Sequence, residues 1–329
     1  MIKIWFFWTP ILASRVLEDI FKSWGIDVKF IVTATDKPVW RWLNITFNPV
    51  KEFALDKNIA LFQPEKIRWN TDFIEKIKSL EVDYFVVVAY SKIIPENILN
   101  IPKKMCINIH GSILPKYRWA SPIQSALIEW ETKTWVTIMK MDEAMDTGDI
   151  IDILEIPIDK FETSQTLFDK FGQVSGKFLV KTLIALDKWL IKPVKQDDNN
   201  ATYCSKISKE DWLANFSKLA KTLFNSWKWL TPWPGLYTNF KDKKFIIEQC
   251  DFISSSVIPA PSVIPAKAGI YKNNKFQTWE VIKIEDKIWI ICGDSSILIL
   301  KKVKLEWKKS QEIKDFVNWY KDFVGYVFK

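Results

Sequence analysis

The chain has 329 residues, 48% apolar and 26% charged, the make-up of a soluble globular protein with length for two domains. One histidine, four cysteines (Cys106, Cys204, Cys250, Cys292) and no C-x-x-C pair exclude a zinc-type cluster and leave the thiols reading as reduced, in a cytoplasmic protein. The net charge of +8 sits in the C-terminal part, where residues 204–329 carry 21 lysines against 13 acidic residues. A basic module behind a neutral one suggests chemistry in the first and a polyanion such as nucleic acid on the second, or a basic face that serves only solubility.

The first ten residues, M-I-K-I-W-F-F-W-T-P, are apolar but too few to span a membrane. Pro10 and Arg15 interrupt the run and no small-residue cleavage site follows, so it reads as a first buried strand. Further short apolar runs at 28–32, 84–89 and 106–109 read as strands. Between them, 11–23 places Leu12, Val16, Leu17 and Ile20 on one helical face, and 72–80 does the same with Phe73, Ile74, Ile77 and Leu80. Alternation of this kind predicts an α/β layer with a mostly parallel sheet, whose ligands lie beyond the carboxyl ends of the strands. Residues 164–190 carry one long helical pattern. The polar stretch I-K-P-V-K-Q-D-D-N-N reads as a linker. The expected division is 1–190, a linker at 191–206, and 207–329. The last part has a helical stretch to about Trp229, then strands at 244–248, 279–284, 288–292 and 297–305, and a helix near 313–323. That pattern suits a small barrel. Within it, S-V-I-P-A repeats at 256–260 and 262–266, and 252–275 reads as an inserted loop without regular structure.

I-N-I-H-G-S, Ile107 to Ser112, holds the only histidine. A lone histidine is more often a structural group than a catalyst, but Asn108 is two residues before His110 on the same strand face. Further on, V-T-I-M-K-M-D-E-A-M-D-T-G-D-I places Asp142, Asp146 and Asp149 around a Thr-Gly turn. An amide, an imidazole and a carboxylate can together run acyl transfer to an incoming amine, with donors for the oxyanion and a base for the proton. Asp142 and Asp149 are equally explained as turn and cap residues.

I-N-I-H-G-S-I-L-P-K-Y-R-W-A-S-P-I-Q, with the Thr-Gly-Asp stretch, F-F-W-T-P, the segment 36–51, V-V-V-A-Y and T-P-W-P-G-L-Y-T, resembles the folate-dependent formyltransferases over nearly the whole chain. The resemblance implies a Rossmann-like formyltransferase domain followed by an OB-like barrel. It implies transfer of the formyl group of 10-formyltetrahydrofolate, without a metal, to the α-amine of methionine on initiator methionyl-tRNA. Asn108, His110 and Asp146 match the family's catalytic residues, with Asn108 and His110 expected to hold the oxyanion. Ser112, Ile113, Leu114, Pro115, Val88 and Tyr90 match its folate site. Arg41, Lys37 and Asn44 fall in the segment that meets the tRNA acceptor stem. The family is usually monomeric, and no membrane association is implied. Relatives that formylate a small amine, or that bind RNA without catalysis, are the alternatives.

There are 18 tryptophans and only 9 glycines, where about 23 glycines would be ordinary. Trp8, Trp40, Trp42, Trp119 and Trp135, with Trp130 beside them, stand where the family pattern has glycine, whereas Trp233 matches a family tryptophan. So uniform a replacement suggests UGA codons, which some bacterial lineages read as glycine, rendered as tryptophan. The literal chain is then expected to be a poor enzyme, and its Trp→Gly version at those five sites an active one.

Overall fold

The computed structural model describes residues 1–8, 12–36, 47–88, 94–254 and 277–328. Lys37, Arg41, Asn44, Tyr90, Trp40, Trp42 and the repeat at 256–266 lie outside the described residues, as do the side chains of Trp8, Leu12 and Ala13. The chain divides into two compact units, the first formed by Met1–Ala126, Glu131–Asp159 and Thr166–Ser205, the second by Leu127–Trp130, Lys160–Gln165 and Lys206–Lys329.

In chain order the first part holds β1 (Ile2–Trp8), α1 (Leu12–Lys22), β2 (Ile26–Thr33), α2 (Pro49–Asp56), β3 (Ala60–Phe62), α3 (Thr71–Lys78), β4 (Tyr84–Val88), α4 (Glu96–Leu99) and β5 (Met105–His110). It continues with β6 (Arg118–Trp119), α5 (Pro122–Ile128), β7 (Lys133–Lys140), β8 (Ile150–Pro157), α6 (Ser164–Asp187) and β9 (Tyr203–Cys204). A seven-stranded sheet has the order β3-β2-β1-β4-β5-β7-β8. Its first five strands are parallel, and β7 and β8 add on antiparallel. Every residue of β4 is buried, as its unbroken apolar run requires between two covered faces. Trp5, Phe7, Phe30, Phe73 and Phe85 fill one core cluster. Val16, Leu17, Ile20, Phe73, Ile74 and Ile77 are buried as the helical spacing predicts. Asn48 and Asn70 cap α2 and α3, accepting from Lys51 N and Phe73 N.

The segment expected to be a free linker is instead stitched into the first unit. Val194 bridges to Ile150, β9 pairs with β6, and Gln196 is 5% exposed. Gln196 is the buried polar residue of the segment, while Lys192, Lys195 and residues 197–200 stay exposed.

The second unit contains α7 (Ala220–Leu230), β10 (Leu236–Phe240), β11 (Lys243–Ile253), β12 (Val281–Ile284), β13 (Lys287–Ile291), β14 (Ile297–Leu305), β15 (Gln311–Glu312) and α8 (Ile313–Trp319). The strands form an antiparallel sheet in the order β10-β11-β14-β13-β12, with β15 on β14. Phe240, Phe245, Phe316 and Phe323 pack as one aromatic cluster. β11 runs five residues past the expected Glu248, so Phe252 and Ile253 pair with Leu298 and Ile297 rather than opening a loop. The final helix stops at Trp319, and a short 3-10 turn takes Lys321–Phe323.

Among the described residues six tryptophans have left-handed backbone: Trp69 (φ 63°), Trp119 (83°), Trp130 (60°), Trp189 (61°), Trp279 (79°) and Trp307 (63°). Such a conformation suits glycine and is an outlier for a bulky side chain. Trp8 and Trp135 lie instead within strands, Trp8 opposite Thr33 and Val88 and Trp135 opposite Glu155, where any residue is accommodated.

Candidate active site

The carboxyl ends of β4 and β5 present the residues singled out by the sequence. Val87 pairs with Asn108 and Val88 with Ile109, so Asn108 and His110 emerge together beside the buried end of β4. His110 is 6% exposed. Its Nε2 lies 3.0 Å from the carbonyl oxygen of Tyr117. A carbonyl only accepts, so Nε2 carries the proton of that bond. Nδ1 then faces Asp146, 3.6 Å from Oδ1. That separation is too long for a hydrogen bond, and with the ring proton on Nε2 a bond there needs both a small movement and a proton on one of the two facing atoms.

The family expectation gave His110 a direct bond to the oxyanion. As placed, both ring nitrogens are turned to protein groups, and the ring reaches a ligand oxygen only by releasing Tyr117 O or turning from Asp146. Asn108 is different. It is half-buried, and its carboxamide makes no hydrogen bond among the described residues. It is the free donor at the strand ends.

Asp146 comes from the loop between β7 and β8. Its Oδ2 accepts from the backbone N of Trp119 at 2.8 Å, which leaves Oδ1 for His110. The loop is held tightly. A Cβ on Gly148 would stand 1.9 Å from Lys140 O, so no other residue fits there. Asp142 braces the same loop by accepting from Thr147 Oγ1 at 2.7 Å, and the backbone of Asp149 accepts from Lys140 N, which leaves both as turn residues. Tyr117 and Asp146 share a φ of 60° and Trp119 has 83°, so three left-handed residues ring the histidine. Strain of this kind persists where surroundings over-determine it, as at functional sites.

Ser112, Ile113, Leu114 and Pro115 follow directly on this strand end. The Ser112 hydroxyl turns inward to Lys116 O at 2.7 Å, so Ser112 braces the turn with its side chain. Thr137 on β7 donates to Ser112 O, tying the turn to the sheet. Trp119 is 50% exposed and lies against Tyr203, ring centroids 4.5 Å apart. The residues that sequence reasoning passed over are Arg118 and Gln196, both buried beneath the Asp146 loop. Among the described residues no group of three or more His, Cys, Asp or Glu could hold a metal ion, and no helix is long and apolar enough to cross a membrane.

An amide donor, an imidazole and a carboxylate stand at the carboxyl edge of a mostly parallel sheet, and among the described residues no serine or cysteine side chain bonds the histidine, an arrangement that suits a group transferase whose acceptor supplies the nucleophile. The comparisons with known proteins agree. The chain belongs to the formyl transferase family, matching its N-terminal domain over residues 4–183 and its C-terminal domain over 206–321. A methionyl-tRNA formyltransferase of Caldicellulosiruptor saccharolyticus is 36% identical over 316 residues, 96% of each chain. One of Sulfurihydrogenibium sp. is 36% identical over 329 residues, 99% of this chain and 100% of its own. Among solved structures, the sugar 3N-formyl transferase WlaRD aligns with a TM-score of 0.62 at 21% identity, covering 94% of this chain and 99% of that one. A methionyl-tRNA formyltransferase from Clostridium thermocellum aligns with a TM-score of 0.55 at 16% identity, covering 76% and 93%. At these identities the structures establish the shared fold.

Proposed function

We propose that this chain transfers the formyl group of 10-formyltetrahydrofolate to the α-amine of methionine on initiator methionyl-tRNA. The observation that carries the reading is the Asn108–His110–Asp146 constellation in a chain alignable end to end with methionyl-tRNA formyltransferases. The co-substrate supplies an electrophilic formyl carbon on a nitrogen that can leave. The unpaired Asn108 carboxamide suits that group, because a formyl oxygen is an acceptor seeking a donor. As the methionine amine attacks, Asn108 donates to the oxygen on which charge develops. Asp146, oriented by the Trp119 N–H, takes the amine proton directly or through His110 Nδ1, and the proton returns to the departing nitrogen. One C–N bond forms and one breaks. The backbone of Ser112–Pro115 with Val88 and Tyr90 forms the folate wall. Arg41, Lys37 and Asn44 contact the acceptor stem, and the lysine-rich second unit holds tRNA phosphates. The protein acts as a cytoplasmic monomer.

A further part of this reading is that these positions are glycine codons of the UGA type in the gene; of the five expected positions the left-handed backbone supports Trp119, and it adds Trp69, Trp130, Trp189, Trp279 and Trp307 as positions of the same kind. UGG at Trp8, Trp40, Trp42, Trp119 and Trp135 would refute it. The deciding assay charges initiator tRNA and measures formylation by the chain as written, by its version with glycine at those five positions, and by an Asn108→Ala derivative of the active one. The glycine version is expected to be much the more active, and Asn108→Ala to lose about 10²–10³ in kcat. Preference for a small amine or nucleotide sugar over charged tRNA would reject the acceptor. Equal activity of the tryptophan and glycine proteins would reject the codon reading.

A further inference from the structure

We propose that Gln196 is a positioning residue for Asp146, acting from the segment that follows α6. The inference rests on the formylation reading for its chemistry, but its geometry stands alone. All four hydrogen-bonding capacities of the Gln196 carboxamide are used. Oε1 accepts from Arg118 Nε at 3.2 Å and Nη2 at 2.8 Å. Nε2 donates to the carbonyl of Asp146 at 2.9 Å and to that of Gly148 at 2.7 Å. The amide cannot be turned over, since guanidinium N–H groups need the oxygen and carbonyls need the NH2. Arg118 is 2% exposed, and the same Nη2 also donates to Asp198 Oδ1 at 2.7 Å.

The consequence for the site follows from which atoms are gripped. Gln196 holds the backbone on both sides of Thr147, and so holds Asp146 at its φ of 60°, a conformation a non-glycine residue keeps only under constraint. Its other end holds Arg118, the neighbour of Trp119, whose N–H orients the Asp146 carboxylate. One buried amide therefore ties together the two chain segments whose spacing sets the Oδ1 to Nδ1 distance of 3.6 Å. An amide is better suited than a carboxylate here, because an acid would place a second oxygen against two carbonyls. An aliphatic side chain would leave Arg118, among the described residues, with Asp198 as its one remaining side-chain partner.

The chain's only histidine makes the test direct, since one set of imidazole resonances reports on one residue. With 15N-histidine labelling, the full chain is compared with Gln196→Glu and Gln196→Met. Gln196→Glu keeps the acceptor for Arg118 and removes the donor for the loop. Gln196→Met keeps length and removes both. The expected result is a shifted or split His110 Nδ1 resonance in folded Gln196→Glu. In the formylation assay at saturating substrates, kcat should fall on the order of 10²-fold with both KM values held, as for a misplaced reacting group. An unmoved Nδ1 resonance in either folded variant overturns the proposal. So does a loss in which kcat falls only in step with melting temperature and KM rises alongside, which a merely structural role would give. Should Gln196→Met fail to fold, Gln196→Glu decides. The resonances are read without substrate, so a parent chain with the expected spectrum and no formylation would reject the acceptor reading and leave the positioning role standing.

Discussion

At the scale of single residues, the tryptophans are the unusual feature. Among the described residues six of them take the left-handed backbone conformation, at about 1–2 kcal/mol each, so roughly 6–12 kcal/mol is set against a total stability of about 5–15 kcal/mol. The buried indole N–H groups of Trp5, Trp212 and Trp289 meet no acceptor among the described residues, a second sign of poor accommodation. Trp189 shows the mismatch most clearly. After α6, Trp189 N donates to Leu186 O and Leu190 N to Ala185 O, the bond pair that closes a helix on a left-handed residue, normally glycine or asparagine. The same bonds close α2 on Asn58, with φ 53°. The indole of Trp189 is 76% exposed, so its removal costs little burial. Trp189→Gly is therefore expected to raise stability by about 1–2 kcal/mol in urea unfolding. Trp135→Gly, in the regular strand β7, should lower it by at least about 0.5–1 kcal/mol. A Trp189→Gly protein no more stable than its parent would contradict the strain argument.

At the scale of elements, the root of the segment 37–46 is clasped from three sides. Thr33 Oγ1, at the end of β2, donates to Asn48 Oδ1 at 3.3 Å. Asp36 pairs with Lys51 on α2 and accepts from Gln63 Nε2 at 3.1 Å, and Gln63 also donates to Ala34 O at 2.7 Å. The hydrogen bonds from Lys51 and then Gln63 hold the Asp36 carboxyl below its usual 3.8. A depressed folded value means the clasp contributes fully above the ordinary value and is lost as pH falls through the folded one. Asp36→Asn is therefore expected to lower the urea midpoint at pH 7, with the gap to the parent closing as pH drops below 3.8. Equal midpoints at pH 7 would remove the clasp as a contributor. Elements like these were unequally legible in the sequence. β1, β2, β4 and β5 announce themselves because strands covered on both faces are solid apolar runs. β7 and β8 bury their faces unevenly and were visible only as a motif. Asn108 and His110 could be paired from strand geometry, whereas Asp146 was one of three acids around a Thr-Gly turn and was singled out through the family resemblance. Gln196 could not, since its partner Arg118 is 78 residues away and its own surroundings read as a polar linker.

At the scale of the whole molecule, the charge division separates two kinds of binding. The first 203 residues are neutral overall and carry the proposed catalytic group Asn108, His110 and Asp146, while residues 204–329 carry the net +8. Lys308 and Lys309 stand exposed in the turn after β14, and Lys243 is exposed at the start of β11. Lysines that meet phosphates release counterions on binding, so affinity for tRNA should fall linearly with salt on logarithmic axes. Binding of a folate to the first unit should respond far less. Each of Lys243→Ala, Lys308→Ala and Lys309→Ala that removes a phosphate contact should reduce the salt slope by about 1 and weaken tRNA of every sequence alike. Turnover at saturating tRNA should hold, because none of the three is near the Asn108–His110–Asp146 group in sequence or shares its sheet. Filter binding across a salt series reads the slope, and single-turnover formylation reads the chemistry. A slope unchanged in all three variants would mean that these lysines maintain solubility, and that tRNA is held through the neutral unit by contacts that discriminate among sequences.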